Sequence, residues 1–579
     1  MLKGKSRIAV LICTAMLVGQ FSLGVGQPVF NDSNTVSAKE LQQTKKVKNV
    51  IMMIPDGLST EITTLARWYN DLKIDGVAGN DFLALDKIQT GLVRTHWAGG
   101  PITDSAPGGT AYAIGQKTDD KHVGVLSGDE GNRPLASILE AAKLSGKATG
   151  IVATSESMHA TPADFTAHVA NRSQYNSIMK QQIYSGLDVV FAGGDRLLSS
   201  DANSGEGASA VRNDGQDLRE NLKDMGYSYI TTKAEMDKLK TNKVWGMFAD
   251  AELKYDFDKE SEPTQPSLED MTKKSLDILS KDKNGFFLMV EGSKIDWAAH
   301  DNDPTGVVSD TLSFDKAVHA AVEFAKKDGN TVVVVAADHG TGGMTIGYDK
   351  IGEDIEKDYP SISFDDYLMK ITNVNETTDK TSESLKGADD SKITTDVKKY
   401  YGLEKLTVEE IASIKEGNLN KVLSKNFGVG WTTGGHTGGD VSLYNYAPKN
   451  IEKLTGVVDN TDVNEYMARV MGLNLEKTTQ ELFQNAEAAF KKVGATVTLD
   501  VSDIDNPVVN ISKNGQTMKL NGFTNLGEFN GEKVEFKGVT VCISEDGKTY
   551  DLEDVYASKD AVEKFEAYAK AGKVVKIKK

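Results

Sequence analysis

Apolar residues in this chain run in short unbroken blocks, each followed by a polar cluster. Residues 50–54 (Val-Ile-Met-Met-Ile) stop just before Asp56, residues 286–290 just before Glu291, and residues 332–337 just before Asp338. An unbroken apolar run of strand length is the mark of a strand buried on both faces, hence of a parallel sheet covered by helices. Residues 148–153 and 187–192 repeat the pattern, and helical patterns such as 135–144 and 312–326 lie between the blocks. This alternation predicts an α/β fold with a largely parallel central sheet and helices on both faces. In such sheets ligands gather beyond the carboxyl ends of the strands, so Asp56, Glu291, Asp338 and His339 are expected to converge. Any one of these acids, taken alone, is more often the solvated end of a strand.

The pattern changes in three places. Residues 1–38 carry Lys3, Lys5 and Arg7, then an apolar stretch over 8–18, then Val36-Ser37-Ala38, the layout of a secretory signal peptide. The apolar stretch is too short for a permanent membrane span, and no other segment approaches the roughly 18 to 20 apolar residues a span needs. Residues 345–430 are polar and charge-rich with helical pieces such as 407–416, and read as a surface insertion in an α/β body covering 39–496. From Val497 the period shortens to two, with turn signals at Asn514-Gly515, Asn530-Gly531 and Asp546-Gly547, and a helical pattern over 559–571 follows. Residues 497–579 therefore read as a small, β-rich C-terminal appendage.

At 579 residues, 39% hydrophobic and 26% charged, the chain can bury a substantial core and falls outside disordered and fibrous classes. The formal charge is −18, and −20 once the three bases and the one acid of residues 1–38 are set aside. That balance argues against a nucleic-acid-specific binder, and any attraction for anions must be local to a cationic centre. Cys13 belongs to the signal segment, so Cys542 stands alone and no internal disulfide is expected. Stability is left to packing and to metals.

Several polar clusters carry candidate chemistry. Glu291-Gly-Ser-Lys-Ile-Asp296-Trp-Ala-Ala-His300 follows an apolar block, and the i,i+4 spacing puts Asp296 and His300 on one helical face. A carboxylate and an imidazole presented together suit zinc, although such a pair is by itself more often a surface contact. Asp338-His339-Gly340-Thr341-Gly342-Gly343 and Gly434-Gly435-His436-Thr437-Gly438-Gly439 set histidines among glycines, where the backbone can turn tightly. Thr103-Asp104-Ser105-Ala106-Pro107-Gly108 precedes a helical pattern, so Ser105 is either an ordinary N-cap or a hydroxyl placed where free N–H groups accept an anion. No Gly-x-Ser-x-Gly elbow accompanies it, and a nucleophilic Ser105 would need a metal to lower its proton affinity.

Together with Met53-Ile-Pro-Asp56-Gly57, His159-Ala-Thr161-Pro162 and Ala167-His-Val-Ala-Asn-Arg172, these segments closely resemble the alkaline phosphatase family, in its motif order and over about Lys48 to Pro448. The resemblance implies that Ser105 attacks phosphorus to give a phosphoserine, hydrolysed in a second metal-assisted step, and that Arg172 clamps the phosphoryl group. It implies two zinc ions, one on Asp296, His300 and His436 and the other on Asp56, Asp338 and His339 beside Ser105. It further implies a magnesium ion on Asp56, Thr161 and Glu291. Two positions depart from the best-known bacterial pattern, which has Asp and Lys where this chain has His159 and Trp297, a choice closer to animal and some other bacterial enzymes. Losing a carboxylate there predicts a looser magnesium site.

The expected substrates are small phosphate monoesters, hydrolysed outside the cell or at its wall. Two readings compete: a phosphodiesterase of the same superfamily, and a surface-binding protein whose appendage supplies the function. A homodimer is common in the family, and the appendage offers a route to cell-surface attachment.

Overall fold

The computed structural model describes residues 45–74, 82–127, 131–199, 212, 214–347 and 371–575. The signal-peptide reading and residues 348–370 of the expected insertion lie outside them. Residues from Lys45 onward form one unit.

A ten-stranded sheet organises this unit, in the order Gly456–Asp459, Gln89–Arg94, Val441–Tyr446, Thr331–Ala336, Asn49–Pro55, Phe286–Gly292, Ala148–Glu156, Val189–Gly193, Val244–Met247 and Ser228–Ile230. From Thr331–Ala336 to Ser228–Ile230 every neighbouring pair is parallel. Val441–Tyr446 alone runs against its neighbours on both sides. The apolar blocks of the sequence become the central strands, and every residue of Asn49–Pro55, Ala148–Glu156, Phe286–Gly292 and Thr331–Ala336 is buried. Because successive side chains point to opposite faces, unbroken burial means that both faces are covered. The Pro304–Asp328 helix, started by Asp303 capping the Thr305 N–H, packs on Thr331–Ala336 and on the Leu268–Leu279 helix.

The expected insertion is bracketed by a short antiparallel pair, Met344–Ile346 with Val429–Trp431. Between them lie the helices Thr378–Leu385, Asp390–Tyr401, Val408–Lys415 and Leu419–Asn426, and Leu385, Val397, Tyr401 and Leu423 join the main apolar core.

Near the C-terminus, Thr496–Asp500, Val508–Lys513, Gln516–Asn521, Leu526–Phe529 and Glu532–Glu535 form a five-stranded antiparallel sheet. Asn514-Gly515 and Asn530-Gly531 supply its tight hairpins, all four residues having positive φ as a type I′ turn requires. Asp546-Gly547 instead lies in a longer connection, and a three-stranded sheet of Gln484–Asn485, Val555–Ala557 and Val541–Cys542 completes this region. The Lys559–Ala571 helix closes a separate apolar cluster by setting Phe565 among Phe490, Ile511, Leu520 and Phe529. Burying each such side chain contributes about 1.5–3 kcal/mol against the entropy cost of ordering the chain. A third cluster sets Val541 and Ile543 against Val125, Ala136 and Ala170 of the main body.

Candidate active site

Asn49–Pro55 lies between Phe286–Gly292 and Thr331–Ala336, with Ile54 opposite Glu291 and Met53 opposite Val335. The polar clusters that follow these three strands therefore meet, as the apolar blocks predict. Asp56, Glu291, Asp338 and His339 are all fully buried. Gly57 turns the chain after Asp56 at φ +73°, and a Cβ added there would come within 2.7 Å of the Asp296 Cα. Its N–H and that of His339 donate to Asp338 Oδ1, at 3.3 and 3.1 Å. His339 Nε2 faces three groups at once: Ser105 Oγ at 3.3 Å, Asp338 Oδ2 at 3.4 Å and Asp56 Oδ1 at 3.7 Å.

The Lys294–His300 helix delivers Asp296 and His300 from adjacent turns of one face, so the expected i,i+4 pair forms, with His300 Nε2 3.3 Å from Asp296 Oδ2. His436 arrives from far along the chain, because His436–Thr437 pairs with Gly340–Thr341. Its Nδ1 lies 2.8 Å from the Thr103 carbonyl oxygen, which fixes the ring and leaves Nε2 facing His300 Nε2 at 3.0 Å. The His339 and His436 rings stack at 3.7 Å. Two ligand sets result, Asp56–Asp338–His339 and Asp296–His339–His436, each with its donor atoms within 4.8 Å of one another. His300 joins the second set through Asp296 and His436, and His339 is common to both.

Both oxygens of Asp56, Asp338 Oδ2, Glu291 Oε1 and Thr161 Oγ1 are buried without a hydrogen-bond partner among the described residues. Buried carboxylates normally carry partners, and a bare one is costly. Burial, and then the negative charges of Asp338, Asp296 and Glu291, push the Asp56 carboxyl well above the usual carboxylate range. Burial, with Asp338 adding to it, pushes Glu291 up to about 8. Asp296 shifts the other way, its burial outweighed by the hydrogen bond to His300 and the nearby imidazoles. The hydrogen bond to Asp296 raises His300 to about 9. Crowded acids with empty lone pairs, next to three imidazoles, are the donor set a cluster of divalent cations takes up.

Ser105 is the first residue of the Ser105–Ile114 helix, and Asp104 holds the N-cap position. Ser105 is therefore not the cap, and the Asp104 side chain does not cap either. The Asp104 carboxylate instead receives Arg172 Nη1 at 2.5 Å, while Arg172 Nη2 lies 3.3 Å from His159 Nε2. Burial, and then the charge of Arg172, pulls His159 down to about 3, so the ring is neutral at any physiological pH. Trp297 meets His159 edge-on, with ring centroids 5.6 Å apart. A cavity of about 480 Å³ opens at the outer edge of the cluster, lined by Trp97, Ile102, Asp104, Asp120, His300 and His436 among others.

All the residues singled out in the sequence thus lie around one buried cluster. The sequence reading passed over Asp104 as a partner of Arg172, and Thr341, which donates to Asp296 Oδ1. It also passed over Ser155, which donates to Glu291 Oε2 at 3.3 Å. Asp104 and Thr341 sit inside motifs already noted, so their nearness to Ser105 and His339 was the available signal. Ser155 lies two residues beyond Ala153, which pairs with Glu291 across adjacent strands, a relation that only the sheet order reveals.

Fold and site together define an α/β protein with a buried carboxylate–imidazole centre at the ends of its parallel strands. The chain belongs to the alkaline phosphatase family, whose model matches residues 47–473. It is 39% identical to alkaline phosphatase 4 of Bacillus subtilis over 459 residues, 75% of this chain and 92% of that protein. The crystal structure of the cold-active alkaline phosphatase of a psychrophilic Shewanella sp. superposes with a TM-score of 0.63 at 28% identity, over 73% of this chain and 99% of that one. A histidine-to-aspartate mutant of the alkaline phosphatase from the Antarctic bacterium TAB5, solved with Mg bound in its M3 site, superposes with a TM-score of 0.53 at 26% identity, over 75% of this chain and all of that one. This chain is accordingly an enzyme of the phosphomonoester-hydrolysing class. Among the described residues no helix is long and apolar enough to cross a membrane.

Proposed function

We propose that this protein hydrolyses phosphate monoesters through a phosphoserine formed on Ser105, at a centre that holds two zinc ions and one magnesium ion. The observation that carries the reading is the set of buried carboxylate oxygens without partners beside Ser105. Asp296, His300 and His436 would hold one zinc, Asp56, Asp338 and His339 the other, and Asp56, Thr161 and Glu291 the magnesium. Once bound, the cations would offset the crowded acids and supply Lewis acidity for the serine hydroxyl, for water and for the phosphoryl oxygens.

The side chains divide the remaining work. Ser105 attacks phosphorus from the first turn of a ten-residue helix, where N–H groups lack helical acceptors and the dipole favours an anion. The P–O bond to the alcohol breaks as the bond from Ser105 to phosphorus forms, and the alcohol leaves with the proton. Water then cleaves the phosphoserine to release phosphate and restore the hydroxyl. Arg172 offers its remaining guanidinium N–H groups to two non-bridging oxygens, while Asp104 on Nη1 and His159 against Nη2 fix the plane of the group. His159 serves as a neutral support and carries no charge to the phosphate. Ser105 is only 3% exposed, so attack takes place away from bulk water. The alcohol portion of the substrate would lie in the open cavity against Trp97 and Ile102, which fits broad specificity. The charged, apolar and small-residue order of the N-terminus supports export from the cell.

Turnover of p-nitrophenyl phosphate against bis(p-nitrophenyl) phosphate, with and without a chelator, tests this. The monoester should be strongly preferred and its turnover abolished by chelation. Preference for the diester would favour the phosphodiesterase reading, and chelator-resistant turnover would remove the metal centre from the mechanism.

A further inference from the structure

The segment that carries Arg172 is held by residues outside the 47–473 span shared with the family. Immediately before the arginine, Asn171 Nδ2 donates to the Glu545 carbonyl at 3.4 Å. Two residues after it, Gln174 Nε2 donates to the Ser544 carbonyl at 2.5 Å. The Arg172 N–H itself donates to the Lys121 carbonyl at 2.8 Å, so the segment around Lys121 is the other wall of its seat. Glu545 reaches that wall too, accepting from Asn132 Nδ2 at 2.7 Å and lying 3.8 Å from His122 Nε2.

The bracing turn is ordered by its own residues. The Asp546 carboxylate accepts from Ser544 Oγ and from the N–H groups of Lys548 and Thr549, all within 3.0 Å. Beneath it, Val541 and Ile543 are buried against Val125 and Ala170, two residues short of the arginine. Polar contacts on both sides of Arg172 and an apolar seat below it thus come from one element. A guanidinium fork recognises a phosphoryl group only in a narrow range of orientations, so what fixes its backbone governs how much order is lost on binding.

We propose that the C-terminal β-rich region is a positioning element for phosphate binding, acting through Arg172 by bracing residues 171–174 with the turn at 544–547. It does not touch the substrate. The inference rests on Arg172 being the phosphate clamp, as set out above.

Gln174→Met in the full-length, metal-loaded protein tests it, since the side chain keeps its length and neutrality but loses the donor. Calorimetric titration with inorganic phosphate should show Kd raised about three- to tenfold, the size of one lost hydrogen bond. KM for p-nitrophenyl phosphate should rise in step, with kcat and metal content unchanged. Glu545→Ala leaves the carbonyl that accepts from Asn171 but removes the side-chain hold on Asn132 and His122, loosening the turn from the Lys121 side. It should also weaken phosphate binding, although removing a negative charge alone would strengthen it. In an Arg172→Ala background neither change should add anything. An unchanged phosphate Kd in both variants, or an equal loss in the Arg172→Ala background, overturns the proposal. Phosphate binding without monoester turnover in the unmodified protein would instead count against the proposed reaction, and the calorimetric comparison would still judge the brace.

Discussion

Arg172 Nη1 lies 2.5 Å from Asp104 Oδ2, next in sequence to Ser105. Burial works against the charge on Arg172, yet Asp104 more than compensates and holds the guanidinium above its ordinary value. Burial is likewise outweighed at Asp104, whose carboxyl is held below its usual range by Arg172. The pair stays ionised throughout the working pH range, so the fork is oriented before substrate arrives.

Replacing Arg172 by alanine should lower kcat/KM for a phosphate monoester by about a hundredfold, the value of one strong charge-assisted contact. Lysine should recover only a small part, because a point charge cannot engage two oxygens in a fixed plane. Steady-state kinetics with p-nitrophenyl phosphate check both, and full recovery by lysine would show that charge alone matters.

Gly57 has φ +73°, and a Cβ there would lie 2.8 Å from Asp296 Oδ1 as well as against the Asp296 backbone. Gly57→Ala should therefore displace a proposed zinc ligand besides straining the turn, a combination that costs about 1–3 kcal/mol of stability. Metal analysis and a thermal melt should show lower zinc content and a lower Tm. A variant with full zinc content would mean that the approach of Gly57 to Asp296 is not part of the site.

His159 is buried, neutral and set against Trp297 and Arg172, so no carboxylate is contributed from this side to the proposed magnesium ligands. Metal-stripped enzyme reloaded with zinc should be further activated by added magnesium. His159→Asp should retain magnesium through gel filtration that strips the unmodified protein. Equal retention in both would remove His159 from control of that site.

Asp310 is buried beside Asp256, and burial first, then that neighbouring charge, raises its carboxyl to about 7. A carboxyl raised in the fold favours folding fully only at pH below its unfolded value near 4, and the benefit is lost as pH climbs through 7. Asp310→Asn keeps an oxygen for the Asp256 N–H and Ser309 hydroxyl but cannot ionise. Its Tm should exceed that of the unmodified protein above pH 8, by at most about 4 kcal/mol in stability terms, and match it below pH 4. A Tm difference independent of pH would contradict the titration.

Much of this was legible because the determinants are local. Unbroken apolar runs told of doubly covered strands, and the acids at their ends told which side chains converge, since Asp56, Glu291 and Asp338 need only the order of three adjacent strands to meet. Asn514-Gly515 and Asn530-Gly531 marked real hairpins because their positive φ values are a property of the residues themselves. Gln89–Arg94 and the edge strand Gly456–Asp459 beside it were missed, being partly exposed and short of apolar residues. His436 could be suspected but not placed, for its position depends on pairing with Gly340–Thr341 across nearly a hundred residues. The contact of Ser544 and Glu545 with residues 171–174 leaves no mark on either segment, because backbone carbonyls accept from any donor.

The most direct test is the turnover of p-nitrophenyl phosphate by Ser105→Ala, measured at a zinc and magnesium content equal to that of the unmodified protein. Loss of the nucleophile should lower kcat by at least about a thousandfold, as removal of a covalent step's attacking group does elsewhere. Turnover within tenfold of the unmodified enzyme at full metal content would show that Ser105 does not carry the phosphoryl group.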